Sequence, residues 1–163
     1  MPYAANSFDI LVCHYFLLWV NDPALVLSEM VRVADHGAVI IALAEPDYGG
    51  RIDYPEALST LGDWQQASLL SQGADAHMGR KLRALFSRAG LERIETGVLG
   101  GQWKGPPSAK ERDSEWLMLE NDLGGFIQEE TIEALRESEQ AAWEAGERVL
   151  YVPTFYAVGR VGK

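Results

Sequence analysis

Two short apolar runs joined by a capped amphipathic segment constrain this chain more than any other feature. Phe8-Asp9-Ile10-Leu11-Val12-Cys13 is nearly continuous in its apolar character, and Ala38 to Ala44 is wholly apolar with β-branched residues in its middle. Runs of this length without alternation are strands buried on both faces, the pattern of a parallel sheet. Between them, Asn21-Asp22-Pro23 is a helix start. Asp22 can accept from the first free N–H groups, and Pro23 suits the first helical position, where an N–H would have no partner anyway. Leu27, Met30, Val31 and Ala34 mark one helical face, and Gly37 is the expected stop. Strand, helix and strand within residues 8–44 make a right-handed βαβ unit of a doubly wound α/β sheet.

The rest of the chain alternates in the same way. Tyr54 to Leu70 reads as an irregular helical segment. Arg80 to Ala89 predicts an amphipathic helix with Leu82, Leu85 and Phe86 on one face, closed by Gly90, and Leu91 to Leu99 predicts a strand. Gly100 to Ser108 is a Gly/Pro loop carrying Trp103. Two helices are expected at 110–123 and 129–146, the second with Ile132, Leu135, Ala142 and Trp143 inside. Glu129 to Glu147 reads as its solvated face. Val149 to Val161 is expected as one closing strand with Pro153 near its start. No repeat, low-complexity tract or linker breaks the 163 residues, so a single domain is expected.

Charge narrows the partners. A net charge of −10 argues against a surface that tracks phosphates, which needs clustered Lys and Arg, and against an anionic membrane. The apolar run at residues 10–20 is interrupted by His14 and Tyr15 and is shorter than the roughly 20 residues of a membrane span. No basic region precedes it, as a signal peptide would require. The single cysteine, Cys13, allows no internal disulfide. A cytoplasmic protein without nucleic-acid or membrane partners is expected.

Several stretches resemble class I S-adenosylmethionine-dependent methyltransferases. Pro2-Tyr3 followed by Asn6-Ser7-Phe8-Asp9-Ile10-Leu11-Val12 resembles the "LPF…nsFDlV" segment of their fourth strand. Asp22-Pro23, Glu29-Met30-Val31-Arg32-Val33 and His36-Gly37 resemble the helix and turn that follow, and Ala38 to Pro46 resembles the fifth strand with its "…i.eP" end. Gly79-Arg80-Lys81-Leu82 through Ala89-Gly90-Leu91 is similar to the "iGR.L..ll..AGf" element before the sixth strand. The similarity covers residues 2–47 and 79–99 and leans toward the ubiquinone/menaquinone-biosynthesis-like branch. It implies the C-terminal part of a Rossmann-like methyltransferase fold, with strand order 4-5-7-6 and the last strand antiparallel. It also implies S-adenosylmethionine as cofactor and a small organic molecule as methyl acceptor.

Ligands of open α/β sheets sit beyond the carboxyl ends of the strands. By resemblance, Cys13, His14, Tyr15 and Leu18 should lie beside the cofactor, and Tyr48 and Trp103 should face the acceptor. Glu45 and Asp47 end the buried strand. Either they serve as general base for a hydroxyl or acidic carbon, or Glu45 hydrogen-bonds the neighbouring loop. Cys13 and His14 cannot form a thiol–imidazole dyad, because adjacent strand residues point to opposite faces. His14, His36 and His77 lack short metal-ligand spacings, so no metal is expected. Trp64, Trp103, Trp116 and Trp143 could shape an acceptor pocket, but each reads first as core, and Trp103 in the Gly/Pro loop is the best candidate for the pocket.

The resemblance also has a gap. The family grips its cofactor with an acidic-Gly-x-Gly loop after strand one and an acidic residue after strand two, yet no G-x-G occurs in this sequence. Three expectations follow: a truncated enzyme, a non-catalytic interaction module that keeps the half-fold, or one chain of a split enzyme. Each leaves residues 8–13 as an open apolar edge, which should be covered in a homodimer or by a partner.

Overall fold

The computed structural model describes residues 1–100, 106–125 and 127–162. In chain order the elements are β1 (Phe8–His14), α1 (Pro23–Val33), β2 (Ala34–Pro46), β3 (Ile52–Tyr54), α2 (Ser59–Ser71), α3 (Met78–Arg88), β4 (Glu92–Leu99), α4 (Ala109–Leu123), α5 (Glu129–Glu144), β5 (Val149–Tyr151) and β6 (Thr154–Arg160). They form two compact units. The first comprises Met1–Asp47, Gly73–Gly100 and Pro153–Lys163; the second comprises Tyr48–Gln72 and Gly101–Val152.

The first unit is a four-stranded sheet in the order β1-β2-β6-β4. β1 and β2 are parallel, with Val12 opposite Ile41, while β6 runs antiparallel to both β2 and β4. This is the 4-5-7-6 arrangement implied by the sequence, with the last strand in chain order antiparallel. β2 is central, and its Ile40 and Ala42 are fully buried. Asp22 caps α1 by accepting from Leu25 N at 2.9 Å, as the sequence predicts, and α1 buries Leu27, Met30 and Val33.

That helix ends at Val33 rather than running to Gly37. Asn6 N and Ser7 N donate to the carbonyls of Arg32 and Val33 at 3.3 and 2.7 Å. They satisfy terminal acceptors that a further turn would otherwise have needed. Gly37, with φ +79°, instead lies within β2 and donates to Val161 O. The face of α3 carrying Leu82, Leu85 and Phe86 is buried as expected. Its Gly79 sits so close to the sheet that a Cβ there would lie 2.5 Å from the Phe155 ring and 2.7 Å from Glu45 O, so only glycine admits this approach.

The two edges of the sheet differ. β4 carries Glu92, Arg93 and Glu95 and a register shift between Glu92 and Glu95, with Arg93 at φ +51°. Charge and a bulge of this kind blunt an edge. Among the described residues β1 pairs on one side only, with β2, and leaves Ile10 60% and Val12 55% exposed.

The second unit packs α2, α4 and α5 around Leu58, Leu61, Trp116, Leu119, Leu123, Ile132 and Ala142, with Trp64 and Leu135 against them. A small antiparallel ribbon pairs β3 with β5, Asp53 opposite Leu150. Two sequence expectations change here. Tyr54 to Leu70 opens with the end of β3 and a single 3-10 turn before α2 begins at Ser59. The strand expected over Val149 to Val161 is divided at Val152-Pro153, because Val149–Tyr151 pairs with β3 while Thr154–Arg160 joins the main sheet. The acidic face of α5 is not wholly solvated either. Glu139 is buried, accepting from Trp116 Nε1 at 2.6 Å and from Arg148 Nε at 2.9 Å.

Candidate active site at the carboxyl ends of the parallel strands

β1 and β2 run in the same direction, so their carboxyl ends bring two loops together in the first unit. After β1 the chain turns sharply at Tyr15 (φ +51°), whose N–H donates to Leu43 O at 3.1 Å. In β2, Ala44 also has positive φ (+55°), where the register with β6 shifts between Ala42 and Glu45. Left-handed backbone at a non-glycine residue costs energy and clusters at ligand sites, and here two such residues stand at one end of adjacent strands.

The bulge places the Glu45 side chain inward, where it is fully buried. Its Oε1 accepts from Phe16 N and Leu17 N, both at 2.9 Å, and its Oε2 accepts from Leu18 N at 3.2 Å. This carboxylate is therefore spent on fixing the loop after β1. Leu18 is buried, with its carbonyl accepting from Asp75 N at 2.7 Å, so it contributes a wall rather than an open contact. His14, Tyr15, Phe16 and Trp19 are exposed around it, with the His14 and Tyr15 rings 6.2 Å apart and tilted by 37°.

Cys13 is half-buried. Burial, then the negative charge of Glu45, pushes its thiol up to about 12. At pH 8 a thiol with that pKa is roughly one part in ten thousand thiolate, against about a quarter for a free cysteine. Alkylation by iodoacetamide is expected to be on the order of a thousandfold slower in the native chain than in urea. A native rate within tenfold of the unfolded one would contradict this.

Asp47, just beyond β2, is buried against the start of α3. Arg80 donates through Nε to Oδ2 and through Nη2 to Oδ1 at 2.8 Å, and His77 Nδ1 lies 3.3 Å from Oδ1. Burial alone would raise its pKa. The hydrogen bonds from Arg80 and His77 outweigh that and hold the carboxyl below its ordinary value. Asp75 links this corner to the loop after β1: its N–H reaches Leu18 O, and its Oδ1 accepts from His77 N at 3.0 Å.

Cys13, His14, Tyr15, Leu18, Glu45 and Asp47 thus share one end of one unit. Tyr48 belongs to the second unit, in the 3-10 turn Tyr48–Gly50, and lines a recess of about 210 Å³ with Arg51, Asp53 and Gly62. Trp103 lies outside the described residues. The sequence reading missed His77 and Arg80 as site residues, although Gly79-Arg80 stood inside a quoted motif. A larger groove of about 800 Å³ runs between β1 and α1, lined by Tyr3, Ile10, Val12, His14, Phe16 and Leu25 among others.

S-adenosylmethionine carries a sulfonium cation, and exposed aromatic faces at the end of β1 suit a cation. The residues present fit that end of the cofactor; a glycine-rich loop for the rest is not in the sequence.

The model of the methyltransferase domain family matches residues 1–42, which cover β1, α1 and most of β2. Among curated proteins none matches the chain. Solved structures match throughout. A Haemonchus contortus phosphoethanolamine N-methyltransferase, bound to phosphomonomethylethanolamine and S-adenosylhomocysteine, superposes with TM-score 0.51 at 10% identity over 99% of this chain and 35% of that one. A Haloferax volcanii complex of a methyltransferase activator with a candidate methyltransferase gives TM-score 0.51 at 18% identity, covering 100% of this chain and 58% of that one. A candidate methyltransferase of Bacillus halodurans gives 0.55 at 13%, covering 100% and 68%. The fold is therefore the Rossmann-like fold of class I methyltransferases. The chain spans about a third to two thirds of the length of these structures.

Proposed function

We propose that this chain is the C-terminal, acceptor-side portion of an S-adenosylmethionine-dependent methyltransferase. Its nearest affinity is to the ubiquinone/menaquinone-biosynthesis-like branch, and it acts in the cytoplasm on a small organic acceptor. The observation that carries the reading is the end of β1 and β2, where strained backbone, a buried carboxylate and exposed aromatic side chains meet. When bound there, the cofactor supplies an already activated methyl group. The chain's own residues then have chiefly to position the reacting groups and exclude water. Glu45 holds the loop Phe16–Leu18, and Asp47 with Arg80 holds α3 against the strand end.

The open face of β1 belongs to the same proposal. An exposed apolar strand edge pairs with another chain unless it is covered. The groove beside β1 is expected to be covered by a second copy across a two-fold or by the polypeptide that supplies the glycine-rich loop. A second reading is a non-catalytic interaction module that keeps the half-fold and docks through the exposed apolar residues of β1.

Isothermal calorimetry separates the two readings. The chain mixed with a polypeptide carrying the family's first three strands is expected to bind S-adenosylmethionine and S-adenosylhomocysteine with micromolar affinity. Ile10→Lys and Val12→Lys together should abolish both the assembly and the binding. A mixture that assembles without binding either compound would leave the interaction module as the better reading. Sedimentation showing a lone monomer at all concentrations, with no assembly, would sink the covered edge.

A further inference from the structure

Neither carboxylate at the end of β2 is free to take a proton, since Glu45 serves three amides and Asp47 is paired with Arg80. His77 stands differently. Asp47 Oδ1 lies 3.3 Å from its Nδ1, the ring is one-third exposed, and Nε2 has no partner among the described residues. Asp47 is held ionised by Arg80, so it acts as a fixed acceptor for an Nδ1 proton. A base oriented by a buried carboxylate in this way presents its other nitrogen as the proton acceptor.

We propose that His77 Nε2 accepts the proton of a hydroxyl-bearing methyl acceptor, and that Asp47 is the positioning residue that sets the imidazole tautomer. The proposal rests on the methyl-transfer reading and names its acceptor class. Topology supports the placement. Asp75 bonds His77 N with its side chain and Leu18 O with its backbone, so one residue spans from the base to the loop that follows His14 and Tyr15. A hydroxyl is a weak nucleophile whose proton has to leave as its oxygen is methylated, so it needs such a base. In the balanced step the acceptor O–H bond breaks and its proton passes to Nε2. The oxygen forms the new C–O bond, and the C–S bond electrons stay on sulfur, which becomes a neutral thioether.

The charged groups around His77 are Asp47 beyond β2, Asp75 in the preceding loop, and Arg80 and Lys81 on α3, with Lys81 paired to Asp75. The test reads the tautomer directly, by ¹H–¹⁵N NMR of the chain labelled with ¹⁵N-histidine at a pH above the imidazole titration. The expected result is Nδ1–H with a bare Nε2 at His77, converting to a tautomer mixture in Asp47→Asn. An Nε2–H tautomer in the unaltered chain overturns the proposal, whether or not Asp47→Asn folds. In methyl transfer from S-adenosylmethionine to a panel of phenols, His77→Gln should lower kcat about a hundredfold or more while the KM for the cofactor holds. An unchanged kcat in His77→Gln overturns the proposal. Calorimetry without cofactor binding would instead overturn the methyl-transfer reading, because the tautomer is read with no cofactor present.

Discussion

Replacing Glu45 with leucine is expected to cost the first unit about 3–5 kcal/mol and to expose the amides of Leu17 and Leu18 to exchange. The carboxylate is fully buried and accepts three backbone N–H groups from the loop after β1. Phe16 is an exposed residue, so its amide can find water when the carboxylate is removed. Leu17 and Leu18 are fully buried, and each orphaned N–H costs about 1–3 kcal/mol. Leucine fills much of the glutamate volume, so the loss reports hydrogen bonding rather than a cavity. Glu45→Gln keeps one acceptor oxygen and should fall between the two. Urea denaturation gives the magnitude, and hydrogen exchange at Leu17 and Leu18 gives the location. A loss below about 1 kcal/mol with unchanged exchange would mean that the loop is held by something else.

The same residue shows how far a sequence can be read. Glu45 stood at the end of a buried strand, where ligands sit, and both a catalytic and a local role were open to it. Nothing local chooses between them, because its partners lie 27–29 residues away. The sheet itself was legible. Continuous apolar runs mark buried parallel strands, and Asp22-Pro23 marks the helix between them, since both signals act within a few residues. The failures share one cause. α1 stops at Val33 because amides from Asn6 and Ser7 take its last carbonyls, a long-range event that Gly37 could not announce. The strand expected at Val149 to Val161 was one apolar stretch to local reading, yet its two halves have different pairing partners. His77 is weighed in the sequence only as a metal ligand, because its meaning comes from Asp47, thirty residues upstream.

The second unit hides its strongest dependence in the same way, in a helix that reads as acidic and solvated. Arg148, with a fully buried side chain, donates to Glu139 at 2.9 Å and to Asp53 at 2.7 Å. Asp53 is also paired with Arg51 at 2.6 Å, and Glu139 with the Trp116 indole N–H. No buried side-chain polar atom among the described residues lacks a hydrogen-bond partner, so the network is fully satisfied. Arg148→Met is expected to destabilise the second unit by about 3–5 kcal/mol, because it leaves the buried Glu139 carboxylate without its cation, while Asp53 keeps Arg51. Glu139→Leu should cost about as much, since it leaves the guanidinium with Asp53 and carbonyls alone. The double variant should cost clearly less than the sum of the two, because an apolar pair of similar volume replaces both charges and neither is left buried alone. Chemical denaturation of the four chains, followed by tryptophan fluorescence from the Trp116 region, measures the coupling. Strict additivity would show that the two side chains contribute through separate packing, and that the ion pair itself holds nothing together.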